Sequence, residues 1–130
     1  MRHQLLALSA AAEALTGLAL LVDPAIVVRL LLRAEIAGVG IPVSRVAGIA
    51  LVALGLACWP TGRADAPGLR ALLTYDVLVA FYLAYQYVVG AYVGALLLPV
   101  VAAHVVLALL GARAWVTPRG HGGESALDVR

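Results

Sequence analysis

The chain reads as an all-α integral membrane protein: four transmembrane helices in an up-down-up-down bundle, with a short interfacial amphipathic helix after the first. Composition is the first observation behind this. Of 130 residues, 64% are hydrophobic and 12% charged, with a mean hydropathy of +1.02. A water-soluble domain is about 45–50% apolar and about 25% charged, so the excess needs lipid as part of the solvent. The second is length: four apolar runs each approach the ~20 residues that cross ~30 Å of hydrocarbon at about 1.5 Å per residue. The third is that polar, Pro- and Gly-containing stretches separate those runs. The expectation is a single domain over residues 1–116 and a polar, flexible tail over 117–130.

The first span is placed at Gln4–Val22. Arg2 before small residues at Ser9–Ala12 imitates a secretion signal, but apolar character continues through Leu15–Val22 and favours an uncleaved helix. Ser9, Glu13, Thr16 and Gly17 fall on one helical face, which should point to other helices because lipid would not accept the carboxyl. Asp23-Pro24 closes this span and supplies an N-cap and a first-turn proline for the next element. Residues 24–36 are too short to span. They carry Arg29 and Arg33 one turn apart and are predicted to lie at the membrane surface, with the two arginines touching lipid headgroups or a partner protein.

The second span is placed at Pro42–Trp59. Ser44, Gly48, Leu51, Gly55 and Cys58 form a seam of mainly small residues, which lets backbones approach closely in lipid. Arg45 is shallow enough to snorkel and Trp59 belongs at headgroup level. Pro60–Gly68 reads as a polar loop. The third span, Leu69–Gly90, holds four of the five tyrosines, the lone Phe, Asp76 and Gln86. Residues 91–94 are too few to do more than join antiparallel neighbours. The fourth span, Ala95–Trp115, should kink at Pro99, continues a seam at Ala103, Leu107 and Gly111, and places His104 near its middle.

Four spans put both termini on one side, with Arg2, Arg63, Arg70, Arg113, Arg119 and Arg130. Arg29, Arg33 and Arg45 lie on the other. The bias favours cytoplasmic N and C termini. The arginines are dispersed and the net charge is +2, which is not a nucleic-acid footprint. The lone Cys58 excludes an intrachain disulfide and a multi-cysteine metal site, and reads as a packing residue.

Helix rise puts Glu13 at about 14 Å, Asp76 at about 10 Å and His104 at about 17 Å from the cytoplasmic end. Three ionisable groups at overlapping depth should face inward and find partners. They admit a polar lock that fixes helix register, a proton- or ion-linked site, or a ligand or redox pocket for a quinone-like or lipid-like headgroup with Tyr75 and Tyr82 as walls. Tyr82 is too deep for the aromatic belt that accounts for Tyr85, Tyr87 and Tyr92. Arg45 and Gln86, with Glu35, make an outer polar set. Metal binding is the least favoured reading and no metal site is predicted: one His and two carboxylates could bind a metal, but the Glu-x-x-His pairs of di-iron bundles are absent. No cofactor is predicted either, with a quinone or lipid as the alternative.

The order of Asp23-Pro24, Leu30-Leu31-Leu32, Arg45-Val46-Ala47-Gly48 and Leu54-Gly55-Leu56-Ala57 resembles small bacterial four-helix membrane proteins of the DoxX-like and related families. The resemblance covers most of the chain through weak motifs. It implies a bacterial inner membrane and, through the association of DoxX-like proteins with redox and quinone-linked complexes, leans toward the pocket reading; it transfers no site residue. The leading expectation is non-enzymatic: a membrane component that packs with itself or a larger complex through the seam of Gly48 and Gly55. The alternative is a quinone- or lipid-binding redox subunit, or a small proton-coupled carrier, using Glu13, Asp76, His104, Tyr75 and Tyr82.

Overall fold

The structure is a computed structural model that describes residues 2–61, 65–90 and 92–116. The tail at 117–130 and the loop arginine Arg63 lie outside the described residues. Among the described residues five helices follow one another: α1 (Arg2–Val22), α2 (Pro24–Leu32), α3 (Gly40–Ala57), α4 (Asp65–Val89) and α5 (Leu97–Val116). Among the described residues there is no strand. All but α2 are long and apolar enough to cross a membrane.

α1 touches every other helix. On one side it runs antiparallel to α3: Gly17 lies against Gly48 and Val52, and Gly55 against Ala10 and Ala14. On the other it runs parallel to α4, with Leu5 and Leu6 beside Leu69 and Leu72 and Glu13 bonded to Tyr75. α4 and α5 form the antiparallel pair expected from their short connection, with Asp76 opposite His104 and Gly111 opposite Leu69 and Leu73. Each long helix therefore reverses the direction of the one before it. The arrangement is layered, with α1 between α3 and the α4–α5 pair.

The interior follows helical periodicity. Leu6, Ser9, Ala10, Glu13 and Gly17 are buried on α1, and Leu69, Leu72, Asp76, Ala80 and Leu83 on α4. On α5 the stripe is Leu97, Val100, His104, Leu107, Gly111 and Ala114, with Ala103 exposed rather than on the seam. Thr16 is also exposed. Its hydroxyl donates to the Ala12 carbonyl 2.9 Å away, so it does not belong to the polar stripe of α1. Cys58 packs with Leu6, Leu69, Leu72 and Ala114 where α3 ends against the start of α4.

α2 starts as expected: the Ile26 N–H donates to Asp23 Oδ1 at 3.0 Å, and Pro24 opens the first turn. It stops at Leu32, four residues before its predicted end. Arg33 takes the left-handed conformation at the C-cap, with φ 54°, and its N–H donates to the Arg29 carbonyl. This turns Arg33 off the helix, so it shares no helical face with Arg29. The last carbonyls of α2 lack intrahelical donors. Leu96 N–H reaches Leu30 O at 2.9 Å and Gly94 N–H reaches Leu31 O at 3.1 Å. A Cβ on Gly94 would collide with the carbonyl of Leu30 and lie 2.5 Å from the Leu31 carbonyl carbon, so only glycine permits this approach. The α4–α5 loop thus ties α2 down.

Two boundaries differ instructively. α4 begins at Asp65, one turn before its predicted start, because Pro67 is tolerated in a first turn whose N–H groups have no intrahelical acceptor. Pro99 likewise falls in the first turn of α5 and removes no helical hydrogen bond there, so the predicted cause of a kink is missing. α4 ends at Val89 and is closed by Gly90 (φ 69°), whose N–H donates to Gln86 O and Tyr87 O.

Candidate functional site

The extra turn of α4 brings the interior polar residues level. Glu13 and Asp76 each stand eleven residues into their helices, and His104 stands twelve residues before the end of α5. At about 1.5 Å per residue, all three lie about 17 Å from the same end of the bundle. Helix phase then turns them inward. Glu13 and Asp76 are 3% and 2% exposed.

His104 Nδ1 stands 2.9 Å from Asp76 Oδ1 and 4.0 Å from Glu13 Oε1. One ligand-type atom from each of Glu13, Asp76 and His104 lies within 4.8 Å of the other two. The Tyr75 hydroxyl hydrogen-bonds the Glu13 carboxyl, and the Tyr75 ring meets the His104 ring edge-on with centroids 5.8 Å apart. No buried side-chain oxygen or nitrogen among the described residues lacks a hydrogen-bond partner. The cluster therefore consists of two carboxyls and an imidazole from three helices, with a tyrosine holding one carboxyl and meeting the imidazole edge-on. Glu13 bonds to Tyr75, and Asp76 to His104.

Beside it is a cavity of about 10 Å³ lined by Ser9, Asp76 and apolar residues of α1, α4 and α5. That is room for about one water, and Ser9 and Asp76 supply polar partners for it. Ser9 belongs to the site on this geometry; its position one turn before Glu13 on the inward stripe was the signal for it.

Tyr82 does not join the cluster. Its place on the same stripe as Tyr75 predicted a pocket wall, but it is 60% exposed, and its hydroxyl accepts a hydrogen bond from Gln86 Nε2 at 3.1 Å. α1 covers this stripe at Tyr75 and leaves it open one heptad on. Tyr82 and Gln86 thus form a surface pair beside the exposed Tyr85 and Tyr87. Arg45 is exposed near the start of α3. Arg29 and Glu35 line a surface depression of about 380 Å³ with Asp23 and Ile26, while Arg33 is exposed outside that lining.

The small-residue seam of α3 is used within the chain. Gly48 and Gly55 are buried against α1, and a Cβ on Gly55 would lie 2.5 Å from the Ala10 carbonyl oxygen. A different groove, of about 420 Å³ and almost wholly apolar, runs between α4 and α5 past Ala80, Ala84, Ala108 and Ala112.

No family model matches the chain, and no curated protein or solved structure matches it.

Proposed function

We propose that the chain is a multi-pass membrane protein without enzymatic chemistry, whose working part is the interior Glu13–Tyr75–Asp76–His104 cluster and whose cargo is a proton or a small ion. One observation carries the reading: two carboxyls and an imidazole from three helices meet within 4.8 Å, beside a space of about one water. Intramembrane ionisable groups are costly, and they mark ion paths and proton relays where they persist.

Membrane embedding is supported by four long apolar helices and by large exposed apolar side chains along them, among them Leu15, Val46, Phe81 and Leu109. The arginine distribution supports cytoplasmic termini. A quinone-linked role, as the resemblance to DoxX-like proteins implies, would need space for a headgroup, which the cavity of about 10 Å³ beside Asp76 does not offer. Assembly through Gly48 and Gly55 loses its surface to α1. Association with a second copy or a membrane partner has the alanine-lined α4–α5 groove as its remaining small-residue face. Arg29 and Arg33 are exposed and free to meet lipid headgroups.

The test is flux in proteoliposomes. A proton or metal-ion gradient should dissipate faster with the wild-type protein than in empty vesicles, and Asp76→Asn and His104→Ala should abolish the difference. Wild-type vesicles no leakier than empty ones would reduce the cluster to a lock on helix register.

A further inference from the structure

We propose that Glu13 Oε1, Asp76 Oδ1 and His104 Nδ1 form a binding site for one divalent first-row metal ion, of the class that zinc represents. This rests on the reading above in one respect only, that the cluster is the ion-handling part of the molecule. Zinc bonds to imidazole nitrogen and carboxylate oxygen are about 2.0–2.2 Å long, so in a tetrahedral set the donor atoms sit roughly 3.3–3.5 Å apart. His104 Nδ1 is 2.9 Å from the Asp76 oxygen and 4.0 Å from the Glu13 oxygen, on either side of that spacing. All three ligand atoms lie within 4.8 Å of one another, so closing them to that spacing takes shifts of up to about 1.5 Å, within the reach of side-chain torsions.

The donor set selects the metal class. Calcium takes six to eight oxygens and magnesium an octahedron of them, whereas one imidazole and two carboxylates suit a zinc-like ion. Charge argues the same way. Two carboxylates with a neutral imidazole carry two negative charges into an apolar interior, and one divalent cation cancels both. Outer support is present as well. The Tyr75 hydroxyl bonded to Glu13 is the kind of partner that orients a ligating carboxylate. A water in the cavity of about 10 Å³ at Ser9 would hydrogen-bond Asp76, the one proposed ligand that lines it. The ligands come one from each of three helices, so no spacing within a single helix announces the site.

The purified full chain in detergent is dialysed against zinc and then against buffer, and retained metal is measured by elemental analysis alongside calorimetric titration. Cobalt serves as a second probe, because its absorption reports coordination geometry. The expected result is one zinc per chain, a tetrahedral cobalt spectrum, loss of both in His104→Ala and Glu13→Gln, and affinity about 10–100-fold weaker in Tyr75→Phe. Tyr82→Phe should bind as the wild type does. Circular dichroism of each variant establishes that it is folded, and Asp76→Asn replaces any that is not. Failure of the wild type to retain zinc, or equal retention by folded His104→Ala, overturns the site. Flux without zinc binding would leave the proton reading standing and remove the metal. Zinc binding without flux would do the reverse.

Discussion

The two faces of α1 pack by opposite means. Toward α3 the contact is made by backbone: Gly17 against Gly48, Ala10 and Ala14 against Gly55. Toward α4 and α5 the same helix presents Leu6, Ser9 and Glu13, and the contact closes around Tyr75, Asp76 and His104. In lipid, close approach of small residues and hydrogen bonds between polar ones are the two ways to hold helices together. Their division between faces separates roles. The glycine face is held by close backbone contact. The polar face holds the buried ionisable groups and is braced from behind.

The sharpest way to break this comparison is to add a side chain to the glycine face. A Cβ on Gly17 would lie 2.5 Å from Gly48 O and 2.8 Å from Val52 N, and backbone cannot step aside as a side-chain tip can. Gly17→Val should cost more than the ~3 kcal/mol upper range of ordinary overpacking and leave little folded protein, as judged by circular dichroism and gel filtration in detergent. A folded Gly17→Val protein with an unchanged melting temperature would mean that the two helices do not meet there.

On the polar face the expected losses are smaller. Asp76→Ala removes the partner of His104 and should cost about 1.5–3 kcal/mol, the range for hydrogen bonds to charged groups. Chemical denaturation of Asp76→Ala, His104→Ala and the double variant checks it; the double should lose much less than the sum, because the pair is one interaction. Below that comes Tyr75→Phe, at about 1 kcal/mol for its bond to Glu13. Tyr82→Phe serves as its control and should change nothing measurable, since its hydrogen bond to Gln86 is on the surface. Equal effects at the two tyrosines would put Tyr82 back in the interior.

These contrasts also mark what could be read from the chain itself. The four long apolar helices were legible because hydropathy and length constrain them directly, and Asp23-Pro24 was legible as a helix start because its capping is local chemistry. The cluster was legible as depth: Glu13, Asp76 and His104 stood at overlapping heights by helix rise alone. Its partners were not, because pairing depends on which helices adjoin. Tyr82 shows the limit best. Phase places it with Tyr75, but whether a stripe is covered depends on how far the neighbouring helix follows it. The first turn of α4 was missed for the opposite reason. The run around Asp65 and Pro67 is made of turn-forming residues, and a helix N-terminus uses the same ones. The glycine seam was found, but its partner was another face of the same chain, which composition does not distinguish from a second molecule.

The smallest effect separates glycines that are required from glycines that are merely present. Gly111 is buried on α5 like Gly17 on α1, but a Cβ there would meet only the Leu73 and Leu69 side chains, at 3.4 Å and beyond, which is ordinary contact. Glycine inside a helix is less stable than alanine by roughly 0.5–1 kcal/mol, so Gly111→Ala should stabilise the protein by up to about that amount. Gly17→Ala should lower the melting temperature although it gains the same helix propensity. Opposite signs from one substitution at two buried glycines would locate the backbone-to-backbone contact on the α3 side of α1. Matching signs would mean that α4 and α5 approach as closely as α1 and α3, and the cluster would then have no more freedom to admit an ion than the glycine face has.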